Sequence, residues 1–417
     1  MTQRLKKRRF GLLGEKLSHS FSPQIHAEFG KYEYRLYEKK HEEVGKFLRN
    51  GDFEGLNVTI PYKKTVIPFC AGLSEMARLT GSVNTLVRRG DGSLSGHNTD
   101  FFGVSYLMQK ADMNPADGKI LVLGSGGSSV TVQAVLHSQN SREVIVISRK
   151  GENNYENLEK HRDAKWIINT TPVGMYPNNG VSPIPDLKIF GECRGVIDII
   201  YNPANTELLL QARDAGIPAF NGLKMLVAQA KKAAECFMDA VIADDEIERI
   251  VSQITRQSLN IVLIGMPGCG KTSVGLALAK KMKREFIDTD KLIKQSAGKP
   301  IPAIFAEDGE NKFRELETNV LKTVCKQSGK VIATGGGVVT RAENRHIIRQ
   351  NGIVVFRERD ISLLSVKGRP VSQREGIQAL AETRLPLYRQ WSDYTAQGND
   401  IEQTAKDILE MFGKMVC

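Results

Sequence analysis

The stretch that most restricts what this chain can fold into is Leu263–Gly275, LIGMPGCGKTSVG. Within it, GMPGCGKT fits G-x-x-x-x-G-K-[ST] at every fixed position, with the apolar run NIVLI before it and SVGLALAKKM after it. A buried strand that breaks into a glycine loop and resumes as a helix belongs to parallel α/β folds, and the loop's backbone N–H groups converge on an anion. Gly265, Gly268, Cys269, Gly270, Lys271, Thr272 and Ser273 are the expected ATP cradle, Lys271 reaching the β and γ oxygens and the Thr272 hydroxyl reaching Mg2+.

A second turn of different design lies upstream, in Ile120–Val132, ILVLGSGGSSVTV. Gly124, Ser125, Gly126, Gly127 and Ser128 follow an apolar strand and open a helix, as in dinucleotide-binding β-α-β units. Ser129 stands where the usual fingerprint has Gly or Ala, so a plain β-α turn is the competing reading. The next strand ends in Ser148, Arg149 and Lys150. A carboxylate there would favour NAD, whereas these cations attract a 2′-phosphate, so NADP(H) is the expected cofactor unless both merely begin a solvated loop.

Two cradles on 417 residues call for two or three domains. The six cysteines are scattered without a CxxC pair, which argues against a zinc site or disulfide framework and for a reducing, cytoplasmic setting. No apolar run reaches the roughly 20 residues a membrane span needs. The formal charge of +11 is spread out apart from Lys6–Arg9, which fits attraction of anionic metabolites better than nucleic-acid binding. Small-molecule substrates are the expected partners, and a homo-oligomer is left open.

The fold expected is α/β. Residues 1–105 are expected to form one domain, completed by a helix at about 222–245, and residues 106–221 a Rossmann-like NADP domain. The charged segment 243–259 reads as a linker helix, and 260–417 as a P-loop NTPase-type domain.

Residues able to do chemistry cluster in short motifs. LSHSFSPQIH carries Ser18, His19, Ser20 and Ser22, NVTIPYK carries Asn57, Thr59 and Lys63, and GHNTDFFG carries Asp100. A lysine and an aspartate on one substrate hydroxyl can hold it and move its proton. Singly, Lys63 reads as a surface lysine and Asp100 as a helix N-cap. Together SHSFSP, NVTIPYK, GSVNT, NTD, GSGG, SR, NTTPVGM and GLKMLVAQA, in order from about Phe10 to Phe237, resemble the shikimate dehydrogenase family. The resemblance implies that Ser20 and Ser22 hold the substrate carboxylate and that Asn57, Thr59, Asn84 and Gln229 read the ring hydroxyls. It makes Lys63 and Asp100 the catalytic pair with Tyr201 close by, puts Thr170 and Met225 at the nicotinamide, and places Gly222 in the NADP site. The chain departs from the family at ISRK, where Asn-Arg-Thr is usual.

Downstream of the phosphate loop, FIDTD reads as a strand ending in Asp288 and Asp290, whose alternation puts both carboxylates on one face. DGENKFRELETNVL reads as a helix in which Glu310, Arg314 and Glu317 pair, on the plainer view, across a solvated face. Gly335, Gly336 and Gly337 follow a buried strand and let a ligand lie against bare backbone. GCGKT, DTD, FRELE, TGGG, GRP and RLPLY, from Asn260 to about Phe412, resemble shikimate kinase. That likeness implies Asp290 at the acceptor hydroxyl, Asp288 on Mg2+ through water, Arg314 and Arg384 on the substrate carboxylate, and Gly335–Gly337 under the ring. It also implies Arg369 in a lid over the phosphates, although Ser365–Gly376 is short for one and RPV replaces Arg-Pro-Leu.

Both halves then point to one small acidic ring, handled in two consecutive steps. Quinate as the first substrate and a non-catalytic metabolite sensor are the rival expectations, the sensor having no need of Lys63, Asp100, Lys271, Thr272 or Asp290.

Overall fold

The computed structural model of the protein describes residues 8–17, 20–30, 32–364, 371 and 376–416. The chain forms two compact units, the first made of Met1–Pro172, Pro183–Tyr201 and Gln211–Val251 and the second of the remainder. Both are α/β.

The first unit holds two sheets. One has six strands in the order Glu33–Glu38, Arg9–Gly14, Gly55–Val58, Thr85–Arg88, Leu94–His97, Cys70–Leu73. It is mixed, because Gly55–Val58 and Thr85–Arg88 pair antiparallel and the Asp91-Gly92 turn closes a hairpin onto Leu94–His97. The other sheet is parallel, in the order Ala219–Asn221, Gly195–Asp198, Trp166–Asn169, Lys119–Leu123, Glu143–Ile147. Its middle strands are buried apolar runs such as KILVL, as expected of a parallel sheet covered on both faces.

Two helices, Asp100–Lys110 and Leu223–Met238, cross closely. Gly103 allows this, since a Cβ there would stand 2.6 Å from the Met225 carbonyl oxygen and 3.1 Å from Gln229 Cβ. Farther along the second helix, Phe237 stacks on Phe10 of the mixed sheet at 4.6 Å. The crossing thus brings Gln229, from a distant part of the sequence, against Asn84, whose amide also holds the Thr99 N–H next to Asp100.

The second unit is a five-stranded parallel sheet in the order Phe286–Asp288, Val331–Ala333, Asn260–Ile264, Gly352–Arg357, Tyr394–Ala396. Asn260–Ile264 is fully buried at the centre and delivers the phosphate loop to the helix Lys271–Met282. Two upstream segments, Val173–Ser182 and Asn202–Leu210, fold with this unit. Asn205 Nδ2 donates to the Arg349 carbonyl at 2.8 Å, and Glu207 meets His346 Nδ1 at 2.8 Å. Among the described residues, no helix is long and apolar enough to cross a membrane.

Candidate active sites

In the first unit, Lys63 Nζ donates to Asp100 Oδ2 at 2.6 Å, both side chains being largely but not wholly covered. Thr99 takes the N-cap position of helix Asp100–Lys110, so Asp100 is that helix's first residue and is free to face the lysine. Around the pair runs a network of amides and hydroxyls. Asn84 Oδ1 accepts from the Thr99 backbone N–H at 2.7 Å, while its Nδ2 donates to Thr99 Oγ1 at 3.0 Å and to Gln229 Oε1 at 3.4 Å. Asn57 Oδ1 accepts from the Tyr34 hydroxyl at 2.8 Å, and its Nδ2 donates to Thr85 Oγ1 at 3.2 Å. Thr59 follows Asn57 on the same strand exit, anchored by its N–H to the Leu13 carbonyl. Ser20 Oγ accepts from the Ser22 N–H at 3.2 Å, which ties the two serines into one turn. Ser18 and His19 lie outside the described residues. The Phe21 and Tyr201 rings meet at 5.5 Å, and burial pushes the Tyr201 phenol up.

The dinucleotide-type turn begins at Gly124, whose φ of 99° suits glycine and where a Cβ would stand 2.8 Å from Thr171 Cγ2. At Gly126 and Gly127 nothing lies within 4 Å of where a Cβ would be, and helix Gly127–Ser138 starts without a side-chain cap. Its first N–H groups and dipole therefore fit a pyrophosphate. Ser125 is exposed and Ser128 half-buried at this mouth. Arg149 and Lys150 are exposed, and the Ser148 hydroxyl donates to the Lys150 carbonyl, which folds the loop back on itself. Thr170 Oγ1 donates to the Leu123 carbonyl at 2.6 Å, and Gly222 and Met225 stand at the start of helix Leu223–Met238. A Cβ at Gly222 would run into the Ile199 carbonyl. Sequence reasoning did not single out Asn169 and Asp198, both fully buried and joined at 3.0 Å, with Asn169 Oδ1 also accepting from the Thr171 N–H. A lone Asn in NTTP gives no sign that its amide holds the loop after the strand.

In the second unit the phosphate loop has Gly265, Gly268 and Gly270 at positive φ. Lys271 is buried and donates to the Gly265 and Met266 carbonyls at 2.8 and 3.0 Å, with Cys269 Sγ at 3.8 Å. Thr272 Oγ1 donates to Asp288 Oδ2 at 3.1 Å, a hydroxyl and a carboxylate side by side as a hard divalent cation requires, while Ser273 is exposed beside them.

Two expectations change here. The strand stops at Asp288, and Asp290 sits in the first turn of helix Thr289–Ala297, so strand alternation does not set its direction. Asp288 caps that helix, accepting from the Asp290 and Lys291 N–H groups at 3.1 and 3.3 Å, and this cap is what turns Asp290 inward. The second change concerns helix Gly309–Val324, where Arg314 and Glu317 are buried rather than on a solvated face. Arg314 donates to Glu317 Oε2 at 2.8 Å and to Glu310 Oε1 at 3.1 Å. Its guanidinium occupies the space that a Cβ on Gly337 would need.

Gly335 faces the two carboxylates, a Cβ there standing 2.6 Å from Glu317 Oε1 and 2.9 Å from Asp290 Oδ1. Neither of those buried oxygens has a hydrogen-bond partner among the described residues. Burial, and then the Asp288 charge, push the Asp290 carboxyl above its usual range, with Lys271, Lys294 and Arg314 acting against this. Gly336 lies against Pro267 of the phosphate loop, and its carbonyl accepts from Arg384 at 3.2 Å and from the Tyr388 hydroxyl. Two buried arginines, two unpaired carboxylate oxygens and bare glycine backbone together fit a small ligand bearing a carboxylate and hydroxyls. Arg369 lies outside the described residues.

Each unit thus presents a glycine turn built for phosphate and buried polar groups suited to a hydroxylated acid, which defines a two-part nucleotide-using metabolic enzyme. Residues 12–86 match the shikimate dehydrogenase substrate binding domain, and residues 267–413 match shikimate kinase. The chain is 32% identical over 266 residues to the NADP(+) shikimate dehydrogenase of Clostridium perfringens, covering 59% of this chain and 97% of that one. The crystal structure of a chorismate mutase/shikimate 5-dehydrogenase fusion protein from Clostridium acetobutylicum is 36% identical with a TM-score of 0.56, covering 59% of this chain and 96% of that one. The shikimate 5-dehydrogenase of Thermus thermophilus in complex with NADP(H) and shikimate is 28% identical with a TM-score of 0.53, covering 58% of this chain and 97% of that one. The chain belongs to the shikimate dehydrogenase family through its first part and carries a shikimate kinase domain in its last. It is an enzyme that joins a dehydrogenase to a kinase.

Proposed function

We propose that the chain performs two consecutive reactions on one ring: NADPH-dependent reduction of 3-dehydroshikimate to shikimate, then Mg-ATP-dependent phosphorylation of the shikimate 3-hydroxyl. The observation that carries this reading is the 2.6 Å Lys63–Asp100 pair set among hydrogen-bonded amides and hydroxyls. Residues 1–105, with the helix at about 222–245, take the acid, and 106–221 take NADP(H). Residues 243–259 link these to the kinase at 260–417, and the whole works on small molecules in the cytoplasm.

In the first reaction Ser20 and Ser22 hold the ring carboxylate, and Asn57, Thr59, Asn84 and Gln229 read the hydroxyls, with Tyr201 closing one side. Gly124–Ser128, Ser148–Lys150, Thr170, Gly222 and Met225 form the NADP(H) site, and the reduced nicotinamide, when bound, supplies a hydride. Lys63 gives a proton to the oxygen of the former carbonyl, and Asp100 keeps the lysine aimed at it.

In the second reaction Asp290 orients the 3-hydroxyl and takes its proton, while Arg314 and Arg384 grip the carboxylate above Gly335–Gly337. Gly265–Ser273 with Lys271 and Arg369 neutralise the phosphates, and Thr272 and Asp288 are the residues that would hold Mg2+. Positioning and charge neutralisation do most of the catalytic work in such a transfer.

The test gives purified protein 3-dehydroshikimate, NADPH and Mg-ATP, and follows NADPH oxidation and ADP release. NADPH is consumed without ATP, whereas ADP appears only once NADPH has been supplied or when shikimate itself is added. ADP release from dehydroshikimate without NADPH would overturn the order of steps, and failure of shikimate to elicit ADP would remove the kinase assignment.

A further inference from the structure

Tyr34 lies on strand Glu33–Glu38, in EYRLYE, where nothing in the sequence marks it. Its hydroxyl donates to Asn57 Oδ1 at 2.8 Å, and the Ser22 side chain lies near enough to the same phenol oxygen to lower its pKa against the effect of burial. One hydroxyl therefore holds a residue assigned to the ring hydroxyls and sits beside one assigned to the substrate carboxylate. With Oδ1 taken by Tyr34 and one N–H of Nδ2 directed at Thr85, the Asn57 amide cannot flip freely. One N–H remains to meet a ligand oxygen.

The ring of Tyr34 is itself held. His26, from helix Ser22–Phe29, stacks on it at 4.1 Å with an interplanar angle of 10°. His26 is fully buried, and its Nδ1 meets the Tyr32 hydroxyl at 2.8 Å. Its Nε2 faces Asn57 without closing a hydrogen bond. Phe29 and Phe237 complete its surroundings. A neutral imidazole in this place packs as an aromatic plate, and burial keeps it neutral by pushing it down to about 3.

We propose that Tyr34, clamped by His26, is a positioning residue for the ring substrate of the first unit, its hydroxyl setting the Asn57 amide and the Ser22 side chain before substrate arrives. This rests on the dehydrogenase reading above. A phenol used only for packing would not need its oxygen placed between two ligand-facing side chains. Preset donors leave less side-chain freedom to be lost on binding, so the gain appears in substrate affinity rather than in the proton transfer at Lys63.

The test is Tyr34→Phe, which removes one oxygen and keeps the ring on His26. With shikimate and NADP+ in the oxidation direction, KM for shikimate rises about tenfold, the loss of one well-placed hydrogen bond, while kcat and KM for NADP+ stay nearly constant. Asn57→Ala also raises the shikimate KM, and the double variant is little worse than Asn57→Ala alone, because the hydroxyl acts through the amide. His26→Gln, which removes the plate and leaves the hydroxyl, raises the same KM by a smaller factor and serves if Tyr34→Phe melts early. A normal shikimate KM in both variants, or strict additivity with Asn57→Ala, overturns the proposal. An Asn57→Ala protein with unchanged KM would bring down the site reading beneath it.

Discussion

At the scale of single residues, Lys63 has one partner that matters. A lysine that only decorated a surface would not meet the first carboxylate of a helix at 2.6 Å beside Asn84 and Gln229. Lys63→Ala is expected to slow NADPH oxidation by dehydroshikimate about 10²–10⁴-fold, the usual worth of a positioned proton donor, and to leave ADP release from added shikimate unchanged. A rate near wild type would remove Lys63 from the chemistry. Gly337 supplies the matching test in the second unit. Any side chain there displaces the Arg314 guanidinium, so Gly337→Ala is expected to raise the shikimate KM of phosphorylation about tenfold or more, with KM for ATP little altered. If the KM for ATP rises instead, the glycine supports the phosphate loop and not the carboxylate grip. Asp290 shows where residue-level reading fails. Its place two residues after Asp288 suggested strand alternation, but Asp288 prefers to cap a helix, and that local hydrogen bonding decides where Asp290 points.

At the scale of elements, the two glycine turns were legible because each carries a backbone requirement that few residues other than glycine meet. Tyr34, Asn169 and Asp198 were not, since each depends on a side chain distant in sequence, 23 residues for Tyr34 and Asn57 and 29 for Asn169 and Asp198. Arg314 and Glu317 fell between these cases, their i,i+3 spacing being legible and their burial not. Helix Ser22–Phe29 offers a pH test of its own packing. His26 is held neutral down to about 3 in the fold, whereas in the unfolded chain it takes a proton near 6.5. Below 6.5 the unfolded state therefore binds the extra proton, and stability falls as pH falls, by about 1.4 kcal/mol per pH unit until roughly pH 3. Above 6.5 both states are neutral and this contribution is constant. The unfolding transition of the first unit is thus expected to drop steeply between pH 6.5 and 5, and less steeply in His26→Gln, as followed by amide hydrogen exchange. Equal acid sensitivity in the two proteins would show that His26 takes up its proton without unfolding.

At the scale of the whole molecule, the groups proposed for each reaction lie within one unit alone. Lys63 and Asp100 belong to the first, and Lys271, Asp288, Asp290, Arg314 and Arg384 to the second. Nothing in that division requires the intermediate to stay bound. A formal charge of +11 lowers the energy of a shikimate anion near the surface, but at 0.1 M salt such an attraction is screened within about 10 Å. Free diffusion is therefore the expected route. Lys63→Ala and Lys271→Ala, each inactive in one step, are expected on mixing to turn dehydroshikimate, NADPH and Mg-ATP into phosphorylated shikimate at the steady rate of the intact enzyme at the same site concentration, after a lag while free shikimate builds up. The wild type should show the same lag, unaltered by raising salt from 50 to about 300 mM beyond the general effect on each step. A wild-type lag clearly shorter than that of the mixture, and lengthening with salt, would mean that the intermediate is retained by the charge of the chain.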